Sequence, residues 1–575
     1  MARTRLMVMG LLAWAALTSA APRPRKAETD YVLVGGGPAG LVLAEYLTRN
    51  PKINVVLLEA GPDSSTDTGV NTPGKFNTVP LSTVWPYLSQ PDPNLNGLRP
   101  DLAQGKCLGG GTGVNAMFYC RGAASVYDEW AEISGNDGLR WDSILESFRA
   151  TSHWTDEPSI EYEQPINTTS FGNGPLEVSR QRELLTLDQP FADKLASEFN
   201  LPAIDFASGG GVGVTQGLES IRASNRTRSY AYNTYGYLTN NRPNFELHHD
   251  AWASKIGFTN KKADSVTYND TLTGTMHTIR AKEIVVTAGA INSPQLLMLS
   301  GVGPADHLRE LNIPLVQDIP QVGQNLYDHH YAPLEYAATP EVDTIWQARV
   351  NATRAAIESE RYERDGSGIL GTVGGDVFGA LRLPDSVFEG KGSFHTSLPA
   401  DRPHVAYEYI TVPMLPTLPN VSIITTWAAV VQPEGTGYMT LASADYRDAP
   451  LIYSKYWSSQ ADRAAMLYGY KQLRGLMESD ELRRFVTAEL FPGPEVTSDD
   501  DLWAAIQKGS QSFHHPGGTT ALGTVLDANW RVKGTKGLRV VGMSAAPKIP
   551  TCATQAAAYA MAHRAALDIA AADHV

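Results

Sequence analysis

The sequence predicts an α/β protein in which a parallel-sheet nucleotide-binding domain is joined to a domain built on an antiparallel sheet. Three observations predict it. Residues 30–61 read strand, glycine turn, helix, strand and acid in that order. Later segments, such as NVSIITTWAAVVQPEGTGYMTLAS from Asn420, alternate apolar residues with turn residues, as antiparallel strands do. The length, 575 residues, is too great for one compact core.

The first segment reads DYVLVGGGPAGLVLAEYLTRNPKINVVLLEAG. Tyr31 to Val34 form a continuous apolar, β-rich run, the pattern of a strand buried on both faces. Gly35, Gly37 and Gly40 follow as G-x-G-x-x-G, and Leu41, Ala44 and Leu47 then take helical spacing. A second strand, Val55 to Leu58, ends on Glu59. The first glycine permits the tight turn, the second admits a pyrophosphate, and the third lets helix pack on strand. The helix N-terminus faces the phosphates, and Glu59 holds a ribose diol. This is a Rossmann-like dinucleotide site, and an acid at 59 disfavours a 2′-phosphate, leaving FAD or NAD.

Composition is that of an ordinary globular protein, 42% hydrophobic and 19% charged, and the net charge of −14 argues against nucleic acid or an anionic membrane as partner. The start, MARTRLMVMGLLAWAALTSAAP, has a basic opening, an apolar run and small residues at a cleavage site, and reads as a secretory signal over residues 1–20. Sequons at Asn167, Asn225, Asn269, Asn351 and Asn420 agree with secretion and glycosylation. Three cysteines, Cys107, Cys120 and Cys552, are not a disulfide framework and leave at least one thiol free. No metal site is expected.

Residues 105–128, GKCLGGGTGVNAMFYCRGAASVYD, place a glycine-rich loop before Asn115, a second backbone-lined ligand surface. The order G-K-x-L-G-G-G-T-x-V-N, then Tyr119, Gly122 and Asp128, resembles the first signature of the glucose-methanol-choline (GMC) oxidoreductases. GAINSPQLLMLSGVG at 289–303, QVGQNLYDHH at 321–330 and HHPGGTTALG at 514–523 resemble further stretches of that family, in family order. Secreted fungal aryl-alcohol oxidase- and dehydrogenase-like members are the kind it resembles. The resemblance implies FAD rather than NAD, held between a nucleotide domain and a substrate domain interleaved in sequence. It implies FAD-binding segments at 28–150, 215–330 and 510–575, and substrate-domain segments at 151–214 and 331–509. The loop residues Gly109, Gly110, Thr112, Asn115 and Ala116 are expected along the flavin and pyrophosphate, and Gly289 to Ser293 beside the nucleotide half. Gly109 to Met117 contains no histidine, where some relatives attach FAD, so non-covalent FAD is expected.

The resemblance makes His515 the catalytic base, taking an alcohol's proton as hydride leaves for flavin N5; a histidine of pKa near 6.5 suits this work. His514 stands where aryl-alcohol relatives carry an aromatic pocket residue. The family's ending, D-A-S-x-x-P and then His or Asn before Thr, aligns with Gly542, Ser544, Pro547, Ala553, Thr554 and Gln555. Ala553 thus replaces the second histidine or asparagine and offers no hydrogen bond. Ser544 and Thr554 are candidates to substitute, and Gly542, Thr554 and Gln555 are expected at the cofactor. Alcohol oxidation, with oxygen or a quinone-like acceptor, is the expected activity. The alternative is an FAD-retaining non-redox enzyme of secondary metabolism, a cyclase or dehydratase. TWAAVV, YEYITVPM and tyrosines 230, 232, 235 and 237 are candidates to line a pocket for an aromatic alcohol. The stretch SSQADRAAMLYGYKQLRGLMES predicts an amphipathic helix with Ala464, Leu467, Tyr470 and Leu473 at helical spacing.

Overall fold

A computed structural model of the chain describes residues 29–156, 166–415 and 421–575, so the signal at 1–20 and the sequon at Asn420 lie outside the described residues. The nucleotide sheet has five parallel strands, in the order Phe245–His248, Val55–Leu58, Tyr31–Val34, Glu283–Val286 and Leu538–Val540. Tyr31–Val34 and Val55–Leu58 are buried at every position, as their unbroken apolar runs require. Helix Pro38–Leu47 begins with proline in its first turn and packs on the C-terminal helix Gln555–Asp573, whose inner face is largely alanine.

Two of the three fingerprint glycines are fixed by packing. A Cβ on Gly40 would lie 2.0 Å from the Gly35 carbonyl oxygen, so only glycine lets this helix sit on its strand. Gly35 has φ +119°, and a Cβ there would lie 2.4 Å from the Thr287 carbonyl oxygen.

The second sheet has seven antiparallel strands. Its main path runs Val486–Phe491, His330–Ala338, Ile423–Val430, Val405–Ile410, Val377–Leu381 and Gly213–Gln216, and Gln511–Ser512 pairs with His330 and Tyr331. One face packs on helix Gln460–Met477 through residues such as Leu334, Tyr407 and Ile424. The opposite face carries Tyr331, Phe378, Ala429 and Trp427. Ile423–Val430 is one of the strands expected from the alternating stretch, whereas Tyr438–Thr440 pairs with Leu451–Tyr453 outside the sheet.

The predicted helix exists over Gln460–Met477, but its buried stripe includes Ala461, Ala465, Met466, Tyr470 and Leu473, whereas Ala464 and Leu467 are only half-buried. The first turn faces one residue away from the expected direction because buried Asp462 turns inward. It accepts from the Glu434 and Gly435 amides and meets His395 Nε2 at 2.8 Å. Burying a side chain the size of Leu473 contributes about 1.5–3 kcal/mol.

Cys120 and Cys552 form a disulfide across 432 positions, and Cys107 stays a buried free thiol. One bridge thus supplements a fold expected to hold by its core alone. Tyr230, Tyr232 and Tyr235 are core residues, and Tyr237 is exposed. Asn167, Asn225 and Asn351 are exposed and Asn269 is half-buried. Among the described residues no helix is long and apolar enough to cross a membrane.

Candidate functional site: one cavity between a glycine cradle and an aromatic wall

A cavity of about 690 Å³ is lined by residues of both sheets and of the C-terminal segment. On the nucleotide side it meets Gly35, Gly37 and Glu59, then Gly110, Thr112, Asn115 and Ala116. Gly542, Ala553, Thr554 and Gln555 close it from the C-terminal segment, together with His514 and His515. Three expected site residues do not line it. Gly40 serves helix packing, and Gly109 (φ +99°) backs onto Tyr230, whose ring a Cβ would meet at 2.5 Å. Ser544 is fully buried in the turn Met543–Ala545, so it does not replace the missing partner at 553. None of tyrosines 230, 232, 235 and 237 reaches the cavity wall.

The cradle fits a dinucleotide. Glu59 Oε2 accepts from the Gly36 amide at 2.7 Å and Oε1 from the Gly61 amide at 2.9 Å, which fixes the carboxyl at the strand end. Burial pushes this carboxyl up to about 7, against those two donors. A Cβ on Gly37 would come no nearer than 3.8 Å, to Gly110 Cα, and one on Gly111 would meet nothing within 4 Å. The open side of this backbone is therefore cavity, with room and backbone geometry that would suit a pyrophosphate. The loop is held from behind by buried Arg228, whose Nη1 donates to the Thr112 carbonyl at 3.1 Å and to Asn115 Oδ1 at 2.6 Å. Burial lowers that guanidinium to about 10. Arg228 carried no sequence signal, since it lies in no glycine-rich motif.

Backbone pairing assembles the histidine site from two distant motifs. Gln511 and Ser512 pair with Tyr331 and His330, and Gly517 exchanges both backbone hydrogen bonds with Tyr327. His514 and His515 sit between these pairings, which brings His329 opposite them. Asp328 Oδ1 accepts from the His515 amide at 2.9 Å, and its Oδ2 accepts from Tyr456 and Ser512. Burial raises the Asp328 carboxyl above its ordinary range, with these donors opposing the shift. Phe513 lies almost parallel to the His515 ring, with centroids 5.8 Å apart and an angle of 18°.

The tautomers follow from the hydrogen bonds. His329 Nε2 lies 2.9 Å from the Pro550 carbonyl oxygen and 3.2 Å from that of Val431; both only accept, so Nε2 carries a proton. Burial lowers His329 to about 4, so it is neutral and its Nδ1 is a bare lone pair. His515 Nδ1 is 3.0 Å from that lone pair and must donate to it. His515, held well below 6.5 by burial and then by His329 and His514, is neutral too. Its remaining nitrogen, Nε2, therefore carries a lone pair and no proton. The arrangement can accept a proton at one defined atom.

Beyond the histidines the wall is aromatic: Phe118, Tyr331, Phe378, Trp427 and Phe513, with Met414 and Val412 filling between. Trp427 comes from TWAAVV, and Met414, Val412 and Glu408 from YEYITVPM, so both expected pocket stretches contribute. Ala553 lies in the same apolar cluster as Trp427 and Phe513, beside the disulfide. His329 and Glu408 were not picked out from sequence. The motif at 321–330 carried the only hint of His329, and the stretch YEYITVPM the only hint of Glu408.

Comparison with known proteins gives the family. A family model described as GMC oxidoreductase matches residues 29–331, and a second of the same description matches 433–562. A glucose-methanol-choline family oxidoreductase of Annulohypoxylon moriforme is 30% identical, covering 98% of this chain and 98% of its own. Versicolorin B synthase of Aspergillus parasiticus is 28% identical over 94% of this chain and 88% of its own. The solved structure of an FAD-dependent oxidoreductase from Chaetomium thermophilum superposes with a TM-score of 0.85 at 27% identity, over 95% of this chain and 100% of that one. The chain belongs to the GMC oxidoreductase family, and its cofactor is FAD.

Proposed function

We propose that the protein is a secreted oxidoreductase that converts an alcohol to a carbonyl compound, with His515 as the base. The observation that carries this reading is the histidine pair, in which His329 leaves Nε2 of the cavity-lining His515 unprotonated. FAD, when bound, supplies the two-electron acceptor for the carbinol hydride. His515 Nε2 takes the hydroxyl proton, the aromatic wall excludes water, and oxygen or a quinone-like compound takes the electrons onward. FAD binding is non-covalent in this reading, because Gly109 to Met117 offers no histidine.

The segments 28–150, 215–330 and 510–575 form the FAD-binding domain in this proposal, and 151–214 and 331–509 the substrate domain. Secretion is supported by the N-terminal sequence and by the exposed sequons. At Asn351 the side-chain oxygen caps the helix Ala352–Asp365, which leaves the amide nitrogen for a glycan.

A second reading, non-redox cyclisation or dehydration, is favoured by Ala553, which cannot hydrogen-bond a carbinol oxygen, and by a relative named for a synthesis. Anaerobic mixing with primary and secondary alcohols separates the two. Alcohol oxidation bleaches the flavin's visible absorbance. A flavin that dithionite reduces but no alcohol does points to the second reading.

A further inference from the structure

Glu408 lies in the middle of the antiparallel sheet, on the strand Val405–Ile410. Its cross-strand neighbours are Phe378 on one side and Trp427 on the other, all three lining the cavity. A carboxyl in such a row is out of character, because the sheet's cavity face is otherwise mostly apolar there. Glu335, two strands away, shows what a structural carboxyl does on this sheet: its Oε1 accepts from the Met414 and Leu415 amides at 2.7 and 2.8 Å. Among the described residues Glu408 has no cation or backbone amide of this kind. Trp427 Nε1 faces it but is buried without a hydrogen bond of normal geometry.

The Trp427 N–H is thus buried with only the Glu408 carboxyl beside it, and that carboxyl is half-buried with its open side on the cavity. A buried N–H without a well-formed hydrogen bond costs the folded chain free energy unless a ligand uses it. Burial pushes the half-buried Glu408 carboxyl up to about 8, which favours its uncharged form, a hydrogen-bond donor, at neutral pH. Tyr331 and Asp376 are the titratable neighbours that feel its charge, and neither is cationic. The indole is a donor as well.

We propose that Glu408 and the Trp427 indole form a subsite for an uncharged oxygen acceptor of the substrate, so that the preferred alcohol is an aromatic one bearing a second oxygen as carbonyl, ether or phenol. This subsite gives the substrate a polar anchor on the sheet side of the cavity, where Ala553 gives none from the C-terminal side. The inference rests on the alcohol reading above for the word alcohol, and on the cavity wall alone for the oxygen.

The test is ligand binding to the FAD-loaded protein, followed by perturbation of the flavin's visible spectrum and needing no turnover. Matched aldehydes serve as probes: para-acetylbenzaldehyde against para-isopropylbenzaldehyde, and para-hydroxybenzaldehyde against para-methylbenzaldehyde. The wild type is expected to bind the oxygenated member of each pair about tenfold more tightly, the worth of one to two net hydrogen bonds. Glu408→Gln, which keeps a donor, retains most of that preference. Glu408→Leu abolishes it, and Trp427→Phe, which keeps the ring and deletes only the N–H, reduces it. A wild type that does not distinguish the members of either pair overturns the proposal. So does a preference that survives in Glu408→Leu, judged on protein with full flavin content. If the preference is present but no alcohol reduces the flavin, the subsite stands and the alcohol reading falls.

Discussion

Replacing His329 separates a base set by its neighbour from a base that works alone. Among the described residues His515 Nδ1–H has one acceptor, His329 Nδ1 at 3.0 Å; His329 is buried and His515 half-buried. In His329→Leu the N–H is stranded, or the ring turns over or takes the other tautomer and presents N–H where a lone pair is needed. A buried donor left without its acceptor costs about 1–3 kcal/mol, which at 1.36 kcal/mol per decade is about 5- to 150-fold in rate. The assay is anaerobic stopped-flow reduction of the flavin by the best alcohol, with substrate affinity taken from the same titration. The rate constant is expected to fall by that factor with affinity changed less. His329→Asn, which retains a side-chain oxygen as acceptor, is expected to recover part of it. A merely structural histidine would show neither the selective loss in rate nor that recovery. Reduction at the wild-type rate in a fully FAD-loaded His329→Leu protein refutes the reasoning.

Four further outcomes follow from the geometry. In Gly37→Ala the new methyl enters the cavity and not the protein, so the chain is expected to fold while FAD affinity drops at least about tenfold, as read by retained flavin after gel filtration. Gly40→Ala drives its methyl into the Gly35 carbonyl, and a loss of about 1–3 kcal/mol in urea unfolding is expected. Flavin reduction is expected to stay constant from pH 8 down past 6.5 and to fall only at more acid pH, because His515 must be neutral and its pKa is depressed. An acid limb at or above 6.5 contradicts that environment. His330, stacked on Tyr456 and met edge-on by Trp457, is held down to about 4 by burial. A histidine with a depressed folded pKa contributes stability present above 6.5 and lost as pH falls toward 4, about 3 kcal/mol for this shift. His330→Phe should lose correspondingly less stability than the wild type over that window in urea unfolding.

What could be read from the chain was what is local. The strand, glycine turn, helix and acid over residues 30–61 lie within one βαβ unit, so spacing alone placed Gly35, Gly37 and Glu59 at the cavity. Gly109 and Ser544 were misplaced for a physical reason: they neighbour lining residues, but the backbone turns them to the far side, against Tyr230 and into a buried turn. His329 escaped because its role depends on pairing between residues 327–331 and 511–517, which is invisible until two sheets' worth of chain is in place. Glu408 escaped because a single carboxylate in a strand reads as the polar side of an alternating pattern. Only the sheet's position shows that this side faces a cavity and not solvent. The disulfide escaped because 432 positions separate its halves. Helix Gln460–Met477 was legible as a helix, while its facing was altered at the first turn by Asp462, a charged residue that a hydrophobic pattern assigns to solvent.

The most direct measurement of the central claim is anaerobic flavin reduction by alcohols in the wild type and in His515→Ala, each checked for bound FAD. Bleaching by one class of alcohol, slowed by about 10²- to 10⁴-fold in His515→Ala, is the predicted result. Bleaching that is equally fast without the imidazole, or a flavin that no alcohol reduces although dithionite does, contradicts it.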